Sequence, residues 1–187
     1  HYNNGDEIPT GYSNSEWASL STGAYTVYDD NESNADTYGY LYNWYAVETG
    51  NLAPEGWHVP TDDEIKQLEM YLGMSQEEGD SSDWRGTNEG SKLAGRADLW
   101  NDGDLENNEA FGTSGFDALP GGYRASIYNN MGIGGGFWSS TEYDSSSAWL
   151  RLLGYGTSEV YRSGSSKELG FSVRCVRDVT ETGTILV

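Results

Sequence analysis

Two histidines, one cysteine and 30 acidic side chains are the groups in this sequence best suited to chemistry. His58 stands between Trp57 and Val59, just ahead of a helix signal. A catalytic base needs a nucleophile or metal partner within hydrogen-bond reach, and no nucleophile elbow accompanies it, so His58 reads as a structural histidine. Cys175 shares a strand-like alternation with Val173 and reads as a small buried hydrophobe. A single cysteine excludes an intrachain disulfide and a cysteine-based zinc site. Paired carboxylates hydrolyse glycosides when burial separates their roles, but nothing here marks one pair among the acids as buried. The expectation is a protein without catalysis.

The acidic string from Trp100 to Glu109 invites a calcium reading, because calcium takes six to eight oxygen ligands. Asp102, Asp104, Glu106 and Glu109 are the candidate ligands, although their spacing departs from the EF-hand loop. The bland reading is a solvated acidic loop, and no other cofactor is expected. The glycine run from Gly132 to Gly136 lacks the Lys-Ser/Thr of a phosphate-binding loop and reads as a flexible turn before Phe137.

Tyr128, Tyr143, Tyr155 and Tyr161 sit in or beside Ser/Asn/Gly-rich loops. Tyrosine joins a large rigid ring to a hydroxyl at low ordering entropy, the chemistry favoured in paratopes. Asn129, Asn130, Asp144, Arg151 and Arg162 would add directional hydrogen bonds, so these nine residues form the expected ligand surface. Trp138 and Trp149, in half-buried alternation, read as core.

The elements that position these groups come from a loop-rich composition. Of 187 residues, 36% are hydrophobic, and 7 Trp and 14 Tyr against 4 Phe must supply much of the core. With 10 Lys plus Arg against 30 Asp plus Glu, the net charge is −20, which repels phosphate backbones and anionic head groups. Nucleic acid and membrane surfaces are therefore not expected as partners, and no stretch approaches the ~18–20 apolar residues of a spanning helix. The chain opens at His1 with no signal segment. An N-terminus processed or trimmed from an extracellular or cell-surface protein is expected.

Thr61 followed by Glu64 makes a capping box, Asp62 and Asp63 suit the positive end of a helix, and Ile65, Leu68 and Leu72 form one stripe ending at Gly73. A helix is predicted there, with a weaker one over residues 89–94. Earlier, residues 1–37 read as a polar arm of loops and one or two short strands, packed on a domain running over 38–187. From Phe116 onward short apolar runs alternate with turns at about ten residues per element, the pattern of a small antiparallel sheet system. The apolar runs are 116–119, 123–127, 137–140, 148–153, 159–162 and 171–176. Helices first and strands later give an α+β class.

Five strings taken in order are distinctive: YGYLYNWYAV (38–47), PEGWHVPTDDEIKQL (54–68), SGFDALPGGYR (114–124), FWSSTEYDSSSAWLR (137–151) and GFSVRCVRD (170–178). Together they resemble the Fibrobacter succinogenes major paralogous domain family over about residues 38–178. The resemblance implies a secreted or lipid-anchored protein with a C-type-lectin-like fold: one to two helices, short antiparallel strands and long loops. That fold is related to the formylglycine-generating enzymes and to the variable proteins of diversity-generating retroelements. In the latter, a C-terminal region resembling residues 124–177 carries ligand contacts on a rigid frame. The family commonly carries Cys at the position of Ala53, so Cys175 lacks the partner that position would supply.

The expected function is therefore non-catalytic recognition of a protein or glycan at a cell surface, by a monomer, through C-terminal loops. Two alternatives stand beside it: a structural module of a larger surface or fibre assembly, and a calcium-dependent lectin.

Overall fold

Chain entry into the fold is set by short, self-capped helices. The computed structural model describes residues 1–179; the expected domain end at residue 187 lies outside them. Helix α1 (Asn14–Trp17) begins at Ser13, whose hydroxyl caps Glu16 while the Glu16 carboxylate takes the Ser13 N–H. After it come β1 (Tyr25–Thr26), α2 (Ala35–Tyr38), β2 (Leu41–Tyr42), α3 (Trp44–Glu48) and β3 (Trp57–His58). Helix α4 (Asp62–Tyr71) carries the expected capping box between Thr61 and Glu64. Its apolar stripe is only half-buried, whereas Asp62 and Glu69 are its buried residues. Seven positions apart, these two acids share one helix face.

Helix α5 (Gln76–Asp80) repeats the capping box from Ser75 to Glu78. Strand β4 (Asp83–Arg85) and α6 (Glu89–Leu93), close to the expected 89–94 span, lead into a long irregular stretch. The largest sheet is then built from β4, β5 (Gly121–Arg124), β6 (Tyr128–Met131), β7 (Gly134–Asp144), β8 (Ser147–Gly154) and β9 (Val160–Ser166). Among the described residues its order is β4-β9-β8-β7-β5-β6. Every pairing in it is antiparallel except β5 with β7, where Gly122 faces Gly135. Strand β10 (Val176–Arg177) pairs instead with β3, bringing the late chain back to the start of α4.

The α+β class holds, with adjustments: among the described residues six α-helices, five of them only four or five residues long, stand where one or two were expected. The run 116–119 forms only an isolated bridge, Ala118 to Ala94, instead of a strand. The glycine run is not the expected turn: Gly132 turns, at φ 78°, but Gly134–Gly136 enter β7 as paired strand. Residues 1–37 are built into the frame, since β1 pairs with β2 and Trp17 is fully buried.

Core side chains sort by strand parity, because neighbours along a strand point to opposite faces. Trp138 and Leu150 pack on one face with Trp44, Val47 and Phe171. Phe137, Leu153 and Val160 pack on the other with Leu93, Trp100 and Leu105. A buried ring of the Trp138 kind removes on the order of 200 Å² from water, about 5 kcal/mol of gross hydrophobic stabilisation. A few tryptophans thus offset the low apolar content.

Candidate functional site

The two faces of the large sheet are chemically opposite. On the α4 side, Arg151 of β8 and Arg162 of β9 are cross-strand partners, and both point at the helix. Asp62 accepts Arg162 Nε at 3.0 Å, Arg162 Nη2 at 2.7 Å and Arg151 Nη1 at 2.8 Å. Glu69 accepts Arg151 Nε at 2.7 Å and Arg85 Nη2 at 2.7 Å. Burial pushes the Asp62 carboxyl upward, but the hydrogen bonds and charges of Arg162 and Arg151 outweigh it and hold the group below its usual range. Burial of Arg85 lowers its guanidinium, with Glu69 opposing.

This corrects the expected ligand surface at two positions. Arg151 is 3% exposed and Arg162 5% exposed, and their donors are spent on Asp62, Glu69 and the carbonyls of Asp80 and Ser81. Arg162 also lies 3.6 Å from the ring centre of Trp149. Neither arginine is available to a ligand approaching from solvent. They serve as the electrostatic bolt between helix and sheet.

On the opposite face the strands open into a groove of about 600 Å³. Its floor is low because Gly134 and Gly154 face each other across β7 and β8, with no side chain on either. A β-carbon on Gly154 would lie 3.3 Å from the Trp84 ring, which leans over it. Trp84 and Tyr161, opposite each other on β4 and β9, form one wall with centroids 5.3 Å apart at 57°. Tyr155 extends that wall, and Tyr123, stacked on Phe171 at 5.4 Å, lines the groove on β5. No Lys, Arg or His lines it among the described residues. Thr157 joins it to a polar trough of about 550 Å³ bordered by Asp104, Asn108 and Glu159.

Of the nine expected ligand residues, the structure brings Asn130, Tyr155 and Tyr161 to this groove. Tyr128 is committed elsewhere: its hydroxyl bonds Thr26 and donates to Asp30, and Arg124 lies 4.8 Å from its ring centre. Burial first, then the Asp30 bond, push that phenol up to about 12. Asn129 donates to the Ile127 carbonyl, and Asp144 accepts from Ser146 in the β7–β8 turn. Tyr143 is exposed but packs edge-on to Trp149 at 4.6 Å, on the side of the sheet that carries the arginines. Trp138 is core as expected, while Trp149 is only half-buried between Arg162 and Tyr143.

Trp84 and Tyr123 were not anticipated. Trp84 sits in the polar stretch Ser81–Arg85, where no periodicity marks a strand. The one available signal was a lone tryptophan in a Ser/Asp run.

The four acids of the 100–109 string are not assembled as a cation site. Glu106 accepts the Gly103 N–H through Oε1 at 2.7 Å and Asp102 accepts the Asn107 amide at 2.8 Å, bonds that close their own loop, while Glu106 Oε2 is buried without a partner. Asp104 and Glu109 are exposed, and no group of three or more His, Cys, Asp or Glu converges among the described residues. His58 is clamped by Asp178 at Nδ1, 2.6 Å, and by Glu64 at Nε2, 2.9 Å. Those bonds, Asp178 first, raise its pKa. Cys175 is half-buried against the cluster that contains Ala53, and burial pushes its thiol up.

One family model, the Fibrobacter succinogenes major domain, matches residues 1–177. The match takes in the N-terminal segment as well as the five strings, short of Asp178 at the end of the last. No curated protein and no solved structure matches the chain.

Proposed function

The chain belongs to the Fibrobacter succinogenes major domain family, and we propose that it is a non-catalytic recognition module of a cell surface or secreted protein. It takes a protein or glycan ligand into the groove walled by Trp84, Tyr155 and Tyr161. The frame is read as C-type-lectin-like: short capped helices, long loops, and a late strand, β10, returning to pair with β3 near the early chain.

The observation that carries this reading is the exposure of large rings around an open floor. Trp84 is 44% exposed and Tyr155 38% exposed at the groove, whereas Trp17 and Trp138 are buried and other exposed rings, such as Trp57, Tyr71 and Tyr143, stand outside its lining. Water-exposed aromatics clustered about a concavity are what a binding surface provides and a folding core does not need. His58 supports a non-catalytic reading, since carboxylates hold both of its ring nitrogens and leave neither for a substrate proton.

The test is an array of glycans and extracellular proteins, probed in calcium buffer and in chelator. The intact chain is compared with a Tyr155→Ala/Tyr161→Ala double variant. Retention of a ligand by the wild type, its loss in the variant and an unchanged Tm are expected. Loss of binding in chelator would move the reading toward a calcium-dependent lectin. Absence of any ligand would move it toward a structural module.

A further inference from the structure

Resting on the recognition reading above, we infer that the groove's ligand is an uncharged glycan chain, with a sugar ring laid against Trp84 and Tyr161 and its hydroxyls directed at the rim. A pyranose ring offers an apolar C–H face and a hydroxyl edge, so it needs a ring-shaped platform and short polar groups together. The platform is the pair Trp84 and Tyr161, tilted at 57° across the β4–β9 ladder. Ser163 and Ser165 follow Tyr161 on the same strand face and line the same groove, as does Asn130. The facing glycines of β7 and β8 leave the floor at backbone level beside the Trp84 ring.

Charge decides between kinds of glycan. The described lining of the groove and the adjoining trough contains no cation, whereas the trough contributes Asp104 and Glu159, on a chain of net charge −20. A uronate, sulfate or phosphate-bearing chain would enter with no counter-charge and against a repulsive field. The strand arginines Arg151 and Arg162 face the other side of the sheet and are consumed by Asp62 and Glu69.

Backbone geometry disfavours an extended peptide. Strand addition requires free N–H and C=O groups at a sheet edge. The groove floor is the face of β7 and β8, strands already paired on both sides, while the sheet edges are β4 and β6. At the floor a ligand meets side chains and glycine backbone already paired in the β7–β8 ladder. Aromatic faces and hydroxyls suit a sugar ring better than a peptide main chain.

Isothermal titration of the intact chain would compare neutral hexose and pentose oligosaccharides with polygalacturonate, a sulfated polysaccharide and a proline-rich peptide. At least one neutral oligosaccharide is expected to bind, with affinity insensitive to added salt. Trp84→Ala is expected to weaken it by about tenfold or more at unchanged Tm. Ser163→Arg, which adds a cation to the rim, is expected to bring polygalacturonate binding that salt abolishes. Binding of polygalacturonate or the peptide by the wild type, without any neutral oligosaccharide, overturns the uncharged-glycan assignment but leaves the recognition reading standing. So does a protein ligand from the array whose binding depends on Tyr155 and Tyr161. Neutral binding that survives Trp84→Ala overturns the site. Silence of every probe and of the array overturns both readings.

Discussion

Asp62 and Arg162 meet as a buried fork, with Arg162 Nε donating to Oδ1 at 3.0 Å and Nη2 to Oδ2 at 2.7 Å. Because Arg151 donates to the same carboxylate, one helix acid is shared by two strand cations. Glu69, two turns along the helix, does the same for Arg151 and Arg85. Helix α4 is therefore held to the sheet through charge as well as through Leu68 and Leu72, which pack half-buried against the cluster containing Phe137, Leu153 and Val160. The arrangement also explains why the groove on the far face carries no arginine: the strand cations are turned away from it.

Replacing Asp62 by Ala leaves two guanidinium groups buried without their shared partner. Breaking a buried pair from one side costs about 3–5 kcal/mol. Urea unfolding is expected to show a lower midpoint at unchanged slope, since the surface exposed on unfolding stays the same. A midpoint within error of the wild type would mean that helix and sheet are held by packing alone.

Acid should act through the same carboxylate. The folded pKa of Asp62 lies below its ordinary value, so its stabilisation is full above the unfolded pKa of about 4 and is lost as pH falls through the folded pKa. Stability measured from pH 6 downward should fall on that limb in the wild type. In Asp62→Asn the limb should be shallower, from a lower starting stability. Parallel curves would remove Asp62 from the acid response.

The helix was legible in the sequence and its attachment was not, for physical reasons. A capping box and an i, i+3, i+7 stripe are local signals, and α4 follows them. Asp62 looked like a dipole-stabilising surface acid because its partners lie 89 and 100 residues away. Strand β8 was equally readable as a strand, but Leu150, Leu152 and Leu153 place apolar groups on both faces. Alternation could not say which way Arg151 points. The groove depends on register, Gly134 against Gly154 and Trp84 against Tyr161, which no single segment contains. Tyr155 and Tyr161 were found through residue type, and Trp84 was missed because its strand is three residues long.

His58 predicts an effect of opposite sign at higher pH. Asp178 and Glu64 raise its folded pKa above the ordinary 6.5. The stabilisation is therefore full below about pH 6.5 and declines as pH rises through the folded pKa. Because His58 and both carboxylates are at least a third exposed, salt should shrink the effect. Thermal melts from pH 6 to 9 should show a small decline in Tm that His58→Gln abolishes. A wild-type Tm that rises across this range would contradict the clamp.

Gly136 tests how tightly the groove's inner end is packed. A β-carbon there would sit 2.3 Å from a Phe171 ring carbon and 2.9 Å from Leu152. Phe171 is itself wedged edge-on to Trp138 and stacked on Tyr123, so it cannot yield without disturbing both. Gly136→Ala is expected to cost about 1–3 kcal/mol by overpacking. Gly154→Ala meets only the rim of the exposed Trp84 ring and should cost much less, while shallowing the floor. Equal destabilisation by the two would contradict the contrast between a packed inner end and an open outer one.

The N-terminal segment makes the last prediction, because its burial turns an apparent arm into part of the fold. Trp17 is fully buried, and the Arg124 guanidinium lies 4.5 Å from its ring centre, with Tyr128 at 4.8 Å on the same cation. Arg124 is 1% exposed and donates to Thr26 and to the Tyr12 carbonyl, so three of its partners come from residues 12–26. Trp17→Ala would open a cavity and remove one face of the cation's aromatic cage. The expected loss is about 3–5 kcal/mol, read as a lower Tm and a lower urea midpoint. Limited proteolysis should agree: the native chain resists cleavage between residues 17 and 26, and the variant is cut there first. If instead residues 1–20 can be removed with Tm unchanged, Arg124 tolerates burial without them and the segment is an accessory.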